Sequence, residues 1–224
     1  MERNREITVK GIGDLKIPVD FVEIQLILEE LDKNYTNGYQ TFEVHILELQ
    51  EIIEDIGFKK EDLKTSVINV YPKYENVRKN DTYVDVFKGY KFFSEMKLCF
   101  DFDSKKLGEV FFSISQSNVN PKMNVNFTVK DKEAVKKRLL GKAAKDAKEK
   151  ALILCEAMGV KLGKLITINY NWDEINIYSS AKYEMDASPR MLCAGTSNNS
   201  YLDFTPDDIS VEDDASFVWE IEDL

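Results

Sequence analysis

The chain has 224 residues, 43% of them apolar and 31% charged, with 30 basic against 40 acidic side chains for a net charge of −10. This composition suits a globular protein and excludes a disordered one, and a chain this long buries about 70% of its unfolded surface without needing disulfides or metals. The acidic balance argues against a general nucleic-acid binder and against adhesion to an anionic membrane surface. No apolar run approaches the roughly 18 residues of a membrane span.

Residues 6–11 read as a strand with Ile7 and Val9 on one face, and Pro18 ends a turn. From Asp20, Val22, Ile24, Leu26 and Leu28 alternate with polar residues, the period of a strand with one buried face. Residues 34–38 read as a polar turn. Phe42, Ile46, Leu49, Ile53 and Ile56 then form the stripe of an amphipathic helix, stopped by Gly57.

Residues 65–74 predict a further strand and residues 75–82 a hairpin loop. In the return strand Tyr90, Phe92, Met96, Leu98, Phe100 and Phe102 share one face. A short helix over 104–115 follows, capped by Asp103 or Ser104, and then a strand through Val125, Phe127 and Val129.

Asp131 opens a helix running to Met158, about 40 Å long. Its expected stripe is Leu140, Ala144, Ala147, Ala151, Leu154 and Met158, with alanines that let the backbone lie close on a sheet. Gly159 stops it. Residues 165–177 predict a strand, residues 178–203 a long loop of the functional or mobile kind, and residues 215–222 a closing strand.

This order predicts an α+β fold, mostly antiparallel, with helices packed on one sheet face. It is read as a single domain over 1–224. The spacings Gly57 to Leu63 and Gly159 to Leu165 match, which suggests a duplicated helix-to-strand unit.

The residues point to no active site. His45, the only histidine, sits beside a helix stripe. Gly11-Ile12-Gly13 lacks the third glycine and following helix of a dinucleotide loop, and turn chemistry is the expected reason for both glycines. Asp207, Asp208, Glu212, Asp213 and Asp214 lack the pattern of a calcium loop. Tyr71, Tyr74, Tyr83, Tyr90, Phe92 and Phe93 cluster on one hairpin, where cross-strand packing is the expectation. No catalytic residue, metal ligand or cofactor is therefore assigned. Cys99, Cys155 and Cys193 have no metal spacing, and Cys193, with Arg190 nearby, is the thiol best placed for redox chemistry. Charge is segregated: residues 130–164 carry eleven basic and five acidic side chains, and residues 172–224 two basic and thirteen acidic. Such segments attract within a molecule or between subunits.

Several stretches together resemble the SIMPL domain family, which includes YggE-like proteins. They are Ile7-Thr8-Val9-Lys10-Gly11-Ile12-Gly13 with Pro18 and Asp20, Thr65, Tyr71-Pro72, Gly89-Tyr90 and Lys106-Leu107-Gly108. The most telling is the alanine helix closing on Ala157-Met158-Gly159-Val160-Lys161-Leu162-Gly163, and the chain ends on Phe217-Val218-Trp219-Glu220-Ile221. Val19 is inserted between Pro18 and Asp20, which the family usually places side by side, and residues 178–203 have their own composition. The resemblance implies no established catalytic residue or cofactor, ring-like or channel-like oligomers, adaptor binding in animals and an association with oxidative stress.

The resulting expectation is a non-enzymatic protein acting through self-association (a homo-oligomer) or a protein partner, with no nucleic acid and no membrane span. The alternative is a ligand binder or enzyme with a pocket between the sheet and the 178–203 loop. The loop's candidate interaction residues are Tyr183, Arg190, Met191, Cys193 and Tyr201. The chain enters a strand almost at once after Met1, so a cytoplasmic location is expected as written, or a periplasmic one if a signal has been removed.

Overall fold

A computed structural model describes residues 5–79, 82–171, 175–185 and 203–223. The fold is α+β. In chain order the elements are β1 (Glu6–Ile17), β2 (Phe21–Asp32), α1 (Tyr35–Asp55), a single 3₁₀ turn (Lys60–Asp62), β3 (Leu63–Lys79), β4 (Thr82–Asp101), α2 (Ser104–Gln116), β5 (Lys122–Thr128), α3 (Lys132–Ala157), β6 (Val160–Tyr170), β7 (Tyr178–Met185) and β8 (Ile209–Asp223). They divide into two compact units, one of residues 1–19, 128–180 and 207–224, the other of residues 20–127 and 181–206.

The first unit is a three-stranded sheet of order β1-β8-β6, antiparallel at both pairings, with α3 on one face. Asp131 caps α3 by accepting from the Ala134 N–H at 2.8 Å. The helix buries Val135, Leu139, Ala143, Ala147, Ala151 and Cys155. This corrects the expected stripe: Leu154 and Met158 are 48% and 77% exposed. A strict step of four overshoots a full turn by about 40°, so the buried line winds around the helix as it crosses a twisted sheet. The sequence reading assumed a straight stripe of alternating three and four.

The glycines of Gly11-Ile12-Gly13 lie inside β1, not in a turn. A Cβ on Gly11 would stand 1.9 Å from the Ala143 carbonyl oxygen, and one on Gly13 would stand 2.1 Å from that of Leu139. Two glycines on the strand and the alanines on the helix thus set a very close helix-to-sheet approach. Larger apolar side chains fill the rest of this core: Val9, Phe217 and Trp219 beneath the middle of α3, and Leu15, Ile209 and Val211 toward its start.

The second unit holds a five-stranded sheet of order β3-β4-β2-β5-β7. Val22, Ile24, Leu26 and Leu28 of β2 face the same way as Phe100, Leu98 and Met96 of β4 and are buried with them. Helix α1 lies over this face through Phe42, Leu49 and Ile53, with α2 beside it. Three more expectations are corrected here. Residues 34–38 are not a turn: Asn34 caps α1, and Gly38 lies within the helix, where a Cβ would come 2.4 Å from the Phe92 ring. Residues 75–79 are not a loop, because β3 and β4 stay paired out to Lys79 and Thr82; residues 80 and 81 fall outside the described residues. The start of the presumed 178–203 loop is β7, while residues 186–202 fall outside the described residues. In the first unit, the strand expected over 165–177 starts earlier, at Val160, and stops at Tyr170.

Gly57 and Gly159 both take positive φ, +91° and +67°, as helix stops require. Each leads into an edge strand, the first by way of the 3₁₀ turn and the second directly.

Candidate functional site

Among the expected interaction residues only Tyr183 is described. Its ring sits edge-on to Phe127 at 5.6 Å and to Phe204 at 5.3 Å, which makes it a packing residue of the second unit. Arg190, Met191, Cys193 and Tyr201 lie outside the described residues. Cys155 is buried in the α3 stripe, and Cys99 is half-buried on β4.

His45 Nδ1 lies 2.6 Å from Glu30 Oε1, joining α1 to β2. On the sheet face away from α1, Lys97 pairs with Glu23 at 3.0 Å and Lys91 with Glu29 at 2.9 Å. Between them Gln25 donates to Glu95 at 2.7 Å and accepts from Asn124 at 3.1 Å. The Lys91 ammonium is held above the ordinary lysine range, chiefly by its hydrogen bond to Glu29. These groups saturate one another and form a polar face that ties three strands together.

A shallow, open hollow of about 340 Å³ lies at the end of β6 and β8, lined by Asn171, Asn176 and Glu212 to Asp214. Beside it the Tyr170 hydroxyl donates to Asp213 at 2.8 Å. Burial, and then this bond, push the phenol up to about 12. Among the described residues no group of three or more His, Cys, Asp or Glu side chains is placed to hold a metal ion, and no helix is long and apolar enough to cross a membrane.

The most distinctive arrangement is electrostatic. In the first unit α3 covers one face of the sheet and exposes Lys137, Arg138, Lys142, Lys145 and Lys148. Its last turns add exposed Leu152, Ile153, Leu154 and Met158. The register of β8 turns Phe217 and Trp219 toward α3, and therefore turns Glu212, Asp214, Glu220 and Glu222 to the opposite face. Lys10 pairs with Asp214 there at 2.9 Å, and Lys16 stands 3.8 Å from Asp208. One layer thus carries a basic, partly aliphatic helix side and a predominantly acidic sheet side. The opposed charge segments were legible in the sequence; their placement on opposite faces followed only from the strand register.

Helix α3 also closes the outer edge of β1. Asp146 accepts from the Ile12 N–H at 2.7 Å, and Lys142 donates to the Asp14 carbonyl at 2.6 Å. Lys150, 2.6 Å away, and then the Ile12 N–H hold the Asp146 carboxyl below its ordinary range. An edge with its backbone groups occupied by side chains is protected from stray pairing.

A protein-family model, SIMPL, described as a protein of unknown function (DUF541), matches residues 7–219. No curated protein matches the chain.

Proposed function

The chain belongs to the SIMPL family, and from that premise we propose that it works without catalysis, by associating head to tail with further copies of itself. The observation that carries this reading is the bipolar first unit. Its basic α3 side fits the acidic outer sheet side of a second copy. The exposed aliphatic residues at the end of α3 supply apolar area that ion pairs alone do not, since surface pairs contribute only ~0–1 kcal/mol each. A contact between two different faces repeats from copy to copy and closes into a ring when the rotation permits. This agrees with the ring-like assemblies that the resemblance implies.

Sedimentation of the full chain tests the reading. Head-to-tail oligomers larger than a dimer are expected at low ionic strength and should be lost in about 0.5 M salt, where screening is nearly complete beyond a few ångströms. Lys145→Glu with Lys148→Glu should leave a folded chain that no longer forms head-to-tail oligomers, as should Glu212→Lys with Glu220→Lys. Mixing the two variants should restore one-to-one association. A chain that stays monomeric at tens of micromolar in low salt would overturn the proposal.

A further inference from the structure

Strand β2 pairs with β4 only as far as Tyr90, opposite Asp32. Beyond that point β3 and β4 continue alone, from Tyr74 opposite Phe87 to Lys79 opposite Thr82. The end of the hairpin is therefore a two-stranded arm that projects past the third strand of its own sheet. An isolated two-stranded ribbon is marginal in water and gains stability from a third strand or a packed face. This arm has a firm root: Tyr35 of α1 meets Tyr90 at 5.3 Å, Tyr90 meets Phe87 at 5.3 Å, and Phe87 meets Tyr74 at 5.6 Å. Among the described residues its far part has no such cover: Tyr83 is 71% exposed and Val84 is also open.

The two edges of the arm differ. On β3, Pro72 lies at the root, followed by Lys73 and, further on, Arg78. Proline and long cations are what blunt an edge against pairing. On β4, residues 83–87 run Tyr-Val-Asp-Val-Phe with an unbroken register and no proline, four strand-favouring residues around one acid. The extra residue of the bulge at the root, Lys88, is engaged by Glu75 at 2.5 Å.

We propose that this second edge is an interaction surface, and that its occupant is the same strand of a second copy. Residues 83–87 of two chains pair antiparallel about a two-fold axis, and two marginal ribbons become one four-stranded sheet. A pairing centred on Val84 or Val86 sets Asp85 against Tyr83 or Phe87 of the other copy, so that no like charges oppose each other. The contact is isologous and made by backbone hydrogen bonds, with side chains of the two strands packed beside one another. It differs from the charge-driven head-to-tail contact and does not depend on it.

The experiment is sedimentation velocity of the full chain in about 0.5 M salt, which removes the charge-driven contact and leaves an uncharged, hydrogen-bonded one. The wild type should form a dimer in a concentration-dependent way up to ~100 µM, with amides of residues 83–87 gaining protection from hydrogen exchange as dimer forms. Val84→Lys with Val86→Lys should weaken the dimer at least tenfold while leaving the melting temperature of the monomer unchanged. Lys145→Glu with Lys148→Glu should leave the high-salt dimer intact. A monomer throughout, or a dimer indifferent to the two lysines, would overturn the inference and leave the head-to-tail reading standing. Concentration-independent protection of residues 83–87, seen only when an unrelated extended peptide is added, would overturn it in favour of a different occupant.

Discussion

Gly11 and Gly13 show how much a single atom decides. Each lacks only a Cβ, and each Cβ would collide with a helix carbonyl. Gly11→Ala should therefore destabilise the first unit by about 1–3 kcal/mol through overpacking, read as a fall in the melting temperature. Truncating Leu139, a fully buried residue of α3, to alanine should cost ~2–5 kcal/mol, whereas Leu154→Ala should stay within about 0.5 kcal/mol. Equal losses at Leu139 and Leu154 would mean that the helix is rotated. Ser94 is the opposite case: its hydroxyl is wholly buried between Phe92 and Met96 with no hydrogen-bond partner among the described residues. Removing an unsatisfied polar group relieves its desolvation cost, so Ser94→Ala should hold or raise the melting temperature. Tyr170 adds a pH signature. Its folded-state pKa is raised from 10.0 to about 12, so the folded protein keeps a proton that the unfolded chain releases. The stability from this group is full below pH 10 and is lost as pH rises toward 12. Tyr170→Phe should flatten alkaline unfolding in that window and leave acid unfolding unchanged.

At the scale of the element, α3 and the β3–β4 hairpin teach different lessons. The limits of α3 were legible because they are local chemistry: Asp131 caps one end and Gly159, at positive φ, terminates the other. Asp131→Ala should cost ~1 kcal/mol, the usual loss of an N-cap. The buried face was not legible, because a helix chooses its face from the twist of the sheet beneath it, and the sequence carries that only indirectly. Ala147 and Ala151 do mark the close approach, but the buried line departs from the expected stripe at both ends, through Leu139 and Ala143 at the start and Cys155 at the finish. The hairpin was misjudged for a related reason. Asn76, Lys79, Asn80 and Asp81 look like turn residues, yet the strands continue to Lys79 and Thr82. Polar residues on an exposed ribbon and polar residues in a loop have the same composition. Residues 178–185 were misplaced in the same way, since an edge strand with Tyr178, Ser180, Lys182 and Glu184 turned outward resembles a loop.

For the whole molecule, net charge is a poor guide to surfaces. A value of −10 averages a helix side rich in lysine with a sheet side rich in carboxylates. At physiological salt the screening length is about 8 Å, so an approaching partner meets one face and not the average. This underlies the expectation that assembly weakens with salt, and that Lys145→Glu with Lys148→Glu and Val84→Lys with Val86→Lys act on separable contacts. The candidate loop residues contributed little to these surfaces. Tyr183 is packed between Phe127 and Phe204, and the features that now carry the functional reading are exposed residues of α3, β8 and β4. Their charge and apolar character were visible in the sequence, but not their coincidence on a face.

The sequence by itself determined the α+β class, the family, the strand and helix order apart from β7, and the two ends of α3, because each depends on periodicity or on the backbone preferences of neighbouring residues. Only the tertiary structure decided that Gly11 and Gly13 lie under a helix and that Leu154 faces outward. It alone set the acidic and basic segments on opposite sides of one layer and left the hairpin beyond its third strand. Those outcomes depend on register and crossing geometry between segments far apart in the chain, where a shift of one residue in a strand exchanges its faces.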